Sequence, residues 1–163
     1  MPRLYLTMIR LELNGWDAHI GFSASHLLPG HYKCGRMHGH NYALNARILG
    51  EESPKGLVFD FLPLKKKLRK IADELDHKVL LAKDMDGMVK ESGEYRIQID
   101  GKRYVFPEED VVLLDINQVT TEELARYLLE RVIDDIDFPE TIKVVEIGVD
   151  ESRGQGAWAR RKL

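Results

Sequence analysis

The stretch HGHNYALNARIL, residues 38–49, decides how the chain is read. Tyr42, Leu44, Ala46 and Ile48 recur at every second position, the period of a half-buried strand. His38 and His40 open the same run, and on an extended backbone they point to one side. Gly39 between them leaves the opposite side clear. At strand rise their Cα atoms stand about 7 Å apart, so both imidazoles can reach a single ion. Pro54-Lys55-Gly56 ends the extended run. Upstream, residues 14–39 hold Gly15, Gly21, Pro29, Gly30, Gly35 and Gly39, and the segment is expected to be loop-rich.

Working outward, residues 4–13 alternate for most of their length and predict another strand. Residues 61–75 carry Leu64, Leu68, Ile71 and Leu75 at helical spacing with lysines opposite. Asp60 can cap that helix, and Pro63 suits its first turn. Between residues 84 and 107, Asp100-Gly101 separates two alternating runs, Tyr95-Ile97-Ile99 and Lys102-Tyr104-Phe106, a hairpin signature. Residues 111–116 are a short apolar run. Thr120, three residues before Glu123, fits a capping box opening a second helix through Leu124, Tyr127, Leu128 and Val132. Residues 142–150 and 157–162 predict the last two strands. The order is strand, strand, helix, inserted hairpin, helix, strand, strand. That implies an α+β fold, an antiparallel four-stranded sheet with two helices on one face, in a single domain over residues 1–163. Such a sheet has open edges that a second copy can cover, so a homo-oligomer is expected.

Composition narrows the function classes. The chain has 163 residues, 44% hydrophobic and 31% charged, which disfavours disorder and is enough for a core without staples. Its net charge of −3 argues against bulk nucleic-acid binding. Apolar runs are far shorter than the ~20 residues of a membrane span. The first residues show no apolar leader region, so the expectation is a soluble, cytoplasmic protein. With one cysteine, Cys34, neither an intrachain disulfide nor a multi-cysteine zinc knuckle can form.

The chemistry-bearing residues gather around the opening stretch. A third histidine beside His38 and His40 would give three neutral imidazoles and an open position, the layout of a catalytic zinc site. His26 is a candidate third ligand, and His19 and His31 compete with it on spacing alone. Cys34 can be a fourth ligand, a small buried hydrophobe or a reactive thiolate. Lys33 and Arg36 flank the thiol, and Gly30, Gly35 and Gly39 suggest a mobile, exposed loop, both favouring the thiolate. Asp76 beside His77, at the end of the first helix, can raise the basicity of an imidazole that moves protons. Glu151, at a strand end, can accept two parallel N–H bonds from a guanidine-like ring edge.

Taken together the motifs FSASH (22–26), CGRMHGHNY (34–42), VFDF (58–61), LDH (75–77), TTEELA (120–125) and VDES (149–152) resemble the 6-pyruvoyl-tetrahydropterin synthase / 6-carboxy-tetrahydropterin synthase family. They run in the family's order across nearly the whole chain. The resemblance implies the tunnelling fold (T-fold), with subunits assembled into a barrel and a hexamer favoured. It implies Zn2+ on His26, His38 and His40, proton handling by Cys34, Asp76 and His77, and a pterin ring anchored by Glu151 with Thr120 and Glu122 beside it. The implied substrate is 7,8-dihydroneopterin triphosphate. A cysteine four residues before the first His of H-x-H resembles the carboxy-forming members, lyases that release acetaldehyde and triphosphate on the way to 7-deazaguanine bases such as queuosine or archaeosine. The pyruvoyl-forming synthase and a non-catalytic zinc- or purine-binding T-fold protein are the alternatives. Val119, Glu123, Leu81 and Ser152 depart from the family's usual residues, and residues 84–107 read as an insertion.

Overall fold

The structure is a computed structural model, and it describes residues 7–163. The predicted 38–49 strand is β3 (His38–Glu51), the spine of the molecule. On one side it pairs antiparallel with β1 (Met8–Leu13) and then β2 (Gly21–His26). On the other side it pairs antiparallel with β9 (Ile142–Ser152), which in turn pairs with β10 (Gln155–Lys162). Within the strand predicted over 4–13, residues 4–6 lie outside the described residues.

The expected four-stranded antiparallel sheet becomes a seven-stranded mixed sheet in the order β10-β9-β3-β2-β4-β8, with β1 also on β3. Two features account for the difference. First, the segment expected to be a loop folds into a one-turn helix, α1 (Gly15–Ala18), followed by β2. Asn14 caps that turn, accepting from Trp16 and Asp17 N–H. In β2 the inward residues Phe22, Ala24 and His26 do alternate, but the run is short and one member is polar. Second, β4 (Lys78–Ala82) and β8 (Val111–Leu114) add two parallel pairings, β2 with β4 and β4 with β8. The predicted hairpin is present as β6 (Glu94–Ile99) and β7 (Lys102–Pro107), and β5 (Met88–Glu91) widens it to a separate three-stranded sheet.

Helices α2 (Phe61–Leu75) and α3 (Thr121–Asp135) stand where the periodicity puts them. Asp60 accepts from Leu62 N–H and Thr120 from Glu123 N–H, so each predicted cap is made. Only half of the capping box forms, because the Glu123 carboxylate pairs with Arg126 instead. Leu64, Leu68, Ile71 and Leu75 of α2 join Leu124, Leu128 and Val132 of α3 over Phe22, Leu44, Ile48, Val145 and Ile147 of the sheet. The helices thus share one face. Lys67 breaks the expected pattern of exposed lysines. It is buried and pairs with Asp135, tying α2 to the end of α3.

Candidate active site

Side-chain parity builds the site. In the β2–β3 ribbon His26 stands opposite His38, Ala24 opposite His40, and Phe22 opposite Tyr42. All point to the face that, farther along β3, carries the core residues Leu44, Ala46 and Ile48. The sheet's alternation therefore gathers three imidazoles at one end of the core face. Their rings stand 4.4 Å (His26–His38), 5.2 Å (His26–His40) and 5.1 Å (His38–His40) apart, centroid to centroid. One ligand nitrogen from each lies within 4.8 Å of the others, so the three can hold a metal ion. His19 and His31 are exposed and stand outside this group, as does Cys34.

The hydrogen bonds behind the rings fix which nitrogens face inward. His26 Nδ1 lies 2.7 Å from the Val119 carbonyl and His38 Nδ1 lies 2.7 Å from the Arg36 carbonyl. Carbonyls only accept, so both Nδ1 atoms carry their protons and both Nε2 lone pairs are free, the tautomer a metal requires. His26 is 1% exposed, and its Nε2 is buried without a partner. Burial pushes its pKa down to about 4, with the Val119 bond opposing and the neighbouring His38 and His40 reinforcing the shift. A buried, neutral, unpartnered imidazole nitrogen aimed at two others suits a cation ligand set.

The opposite face of the ribbon carries Gly21, Ser23, Ser25, Gly39 and Asn41. Ser23 Oγ donates to Asn41 Oδ1 at 2.6 Å. Gly39 is required here, since a Cβ would meet the Ala24 carbonyl at 2.8 Å. Asp76 and His77 join at the free edge of β2. Ser23 N–H donates to Asp76 Oδ1 at 2.7 Å, and His77 N–H donates to the Ser23 carbonyl at 2.7 Å. These bonds prolong the parallel β2–β4 pairing. They turn His77 into the left-handed region at φ 58°, and its Nδ1 sits 2.7 Å from Asp76 Oδ2. The Ser23 bond, aided by His77, holds the Asp76 carboxyl below its ordinary range. The His77 ring is 84% exposed. With Ser23 and Asn41 it lines two adjoining cavities of about 530 and 360 Å³.

Cys34 occupies the β2–β3 loop and is half-buried. The loop is exposed at Gly30, Lys33 and Arg36, as expected, while the Cys34 backbone itself is hydrogen-bonded on both sides. Leu28 N–H donates to the Cys34 carbonyl at 2.7 Å, and Cys34 N–H to His31 Nδ1 at 3.2 Å. Gly35 is buried, and Gly39 belongs to β3. Glu151 is half-buried near the end of β9 and accepts from Gln155 Nε2 at 3.4 Å. The register of Ala43 with Asp150 sets it next to Tyr42, whose pKa burial and the Glu151 charge push up. Thr120 caps α3, and Glu122 is exposed on its first turn. The structure thus joins the three histidines, and separately joins Asp76 to His77. Of the three imidazoles, His40 lines the larger cavity together with His77, whereas His26 and His38 line neither cavity. Sequence reasoning missed Ser23 and Asn41, although they share the parity of Gly39. It could not have found the Val119 carbonyl, a backbone group with no side-chain signal.

Known proteins resemble this chain along nearly its whole length. The family model for 6-pyruvoyl tetrahydropterin synthase matches residues 17–162. A Methanocaldococcus jannaschii protein named putative 6-carboxy-5,6,7,8-tetrahydropterin synthase is 37% identical over 159 residues, 94% of this chain and 97% of the relative. A Pyrococcus horikoshii protein of the same name is 35% identical, over 80% of this chain and 79% of that one. The crystal structure of Plasmodium vivax 6-pyruvoyl tetrahydropterin synthase superposes with a TM-score of 0.88 at 29% identity, covering 96% of this chain and 99% of that one. The fold is the T-fold of these neighbours, and the chain belongs to the 6-pyruvoyl tetrahydropterin synthase family.

Proposed function

We propose that the chain is a zinc-dependent 6-carboxy-5,6,7,8-tetrahydropterin synthase. It would convert 7,8-dihydroneopterin triphosphate and one water to 6-carboxy-tetrahydropterin, acetaldehyde and triphosphate, in 7-deazaguanine biosynthesis. The observation that carries the reading is the convergence of the His26, His38 and His40 nitrogens, with the free His26 Nε2 buried among them. The names of the curated relatives favour the carboxy product, as does the interval of four residues from Cys34 to His38.

Zinc bound by the three imidazoles would supply Lewis-acid polarisation of the substrate's side-chain hydroxyls, making adjacent C–H protons removable near neutral pH. Glu151 accepts two N–H bonds from the pterin edge, with Thr120 and Glu122 beside the ring. Cys34, as thiolate, takes a proton from the side chain. His77 returns or relays a proton at its exposed Nε2, while Asp76 holds Nδ1 and fixes the ring. Triphosphate leaves by elimination. Because His26 and His38 line neither of the cavities that His77 opens onto, we take the working site to be shared between copies of the chain.

The test is incubation of the zinc-loaded protein with 7,8-dihydroneopterin triphosphate, with mass spectrometry of the products. Acetaldehyde and the carboxylated pterin are expected. Triphosphate release with the whole side chain retained would instead mark a 6-pyruvoyl-tetrahydropterin synthase, the reading favoured by the Plasmodium vivax neighbour. Zinc binding with no turnover would leave a non-catalytic binding protein.

A further inference from the structure

The three-stranded sheet of β5, β6 and β7 has no part in the chemistry above, yet it touches the segment that carries Cys34. The loop between β2 and β3 is a closed unit. Leu28 N–H reaches the Cys34 carbonyl, His31 N–H the Leu28 carbonyl, Gly35 N–H the His31 carbonyl and Arg36 N–H the Lys33 carbonyl. At its foot the Arg36 carbonyl holds Nδ1 of His38. These bonds fix the loop's shape, but not its place on the protein.

Among the described residues, one hydrogen bond ties the loop to a distant part of the chain. Gly30 N–H donates to Asp100 Oδ2 at 3.2 Å, across 70 residues of sequence. Asp100 and Gly101 form the tip of the β6–β7 hairpin, both left-handed at φ 50° and 71°, the geometry of a type I′ turn. The tip is aimed by a seated base, since Ile97 and Tyr95 of β6 are 1% and 8% exposed. They are buried outside the main hydrophobic cluster, as are Leu27 at the head of the Cys34 loop and Leu81 on β4. A small sheet with its own buried residues, one corner of which grips a loop amide, acts as a brace.

We propose that the 84–107 insertion positions the Cys34 loop, and that Asp100 is the positioning residue through its bond to Gly30. Its catalytic meaning rests on the reading of Cys34 as the proton acceptor. The brace itself does not, and Cys34, the sole cysteine, reports on it directly. Asp100→Gly keeps the left-handed turn, which glycine adopts freely, and removes the acceptor. Asp100→Asn keeps both the turn and an amide oxygen that can accept from Gly30.

The experiment is the rate of iodoacetamide labelling of Cys34 in the metal-loaded wild type and the two variants. With it go their melting temperatures and their kcat and KM on 7,8-dihydroneopterin triphosphate. The Gly variant should label about fivefold faster, the population change that loss of one ordinary hydrogen bond produces. The Asn variant should label at the wild-type rate, and all three should melt together. With turnover, the Gly variant should lose kcat at unchanged KM. Equal labelling in wild type and the Gly variant overturns the proposal, as does an Asn variant as fast as the Gly variant. A wild type that labels as expected and turns over nothing overturns the enzymatic reading and leaves the brace standing.

Discussion

His26 differs from the other two histidines of the cluster in being sealed into the core face. Its pKa is about 4 in the fold against 6.5 for the free side chain. As pH falls below 6.5 the unfolded chain takes up a proton that the folded chain refuses. The metal-free protein therefore keeps this stabilisation in full above about pH 6.5 and loses it progressively toward pH 4, by of order 3 kcal/mol. Urea midpoints of the apoprotein should fall across that window, more steeply than in His26→Asn, whose amide keeps the bond to Val119. Parallel profiles for the two proteins would remove His26 as the cause. His38→Ala should lose bound zinc, measured by elemental analysis, whereas Cys34→Ala should keep it and lose turnover. At this scale the sequence allowed three candidates beside His38 and His40. Parity chose His26, since only a residue facing the same side of a paired strand can meet them. The placement of Asp76–His77 beside Ser23 was not legible, because it depends on how β4 approaches the edge of β2.

Among elements, the two long helices and the central strand were readable because each carries a sustained period with punctuated ends. Thr120 is an instance, and its cap stands next to the carbonyl that holds His26. Thr120→Ala should destabilise the protein by about 1 kcal/mol, and Thr120→Ser should recover most of it. Thermal melts of the three proteins decide the matter, and an unchanged Ala variant would show that the cap is replaceable by water. The elements that escaped were short. Strand β2 has six residues and β8 four. Too few alternations fit in such lengths to stand above a glycine-rich background, and parallel pairing leaves no turn signal between partners.

In the whole molecule, one hydrophobic cluster joins both helices to the strands of the large sheet. Leu68, fully buried where α2 meets the sheet side of that cluster, should cost about 2–5 kcal/mol on replacement by alanine. Denaturant unfolding measures the loss, and a cost below 1 kcal/mol would mean that the core collapses onto the gap. The sheet ends in β10 on one side and β8 on the other, both unpaired along their outer edges among the described residues. Native mass spectrometry is expected to find an oligomer, and a monomer at micromolar concentration would contradict a site shared between copies.

Strand β3 puts His38 and His40 and its core leucine and isoleucine on the same parity. A slip of one residue against either neighbour would therefore turn both sets outward together. A one-residue misalignment cannot keep the trio while spoiling the interior, or the reverse. Under the proposed zinc reading, metal uptake by a newly made chain would double as a certificate against such a slip, a quality check written into the alternation of a single strand.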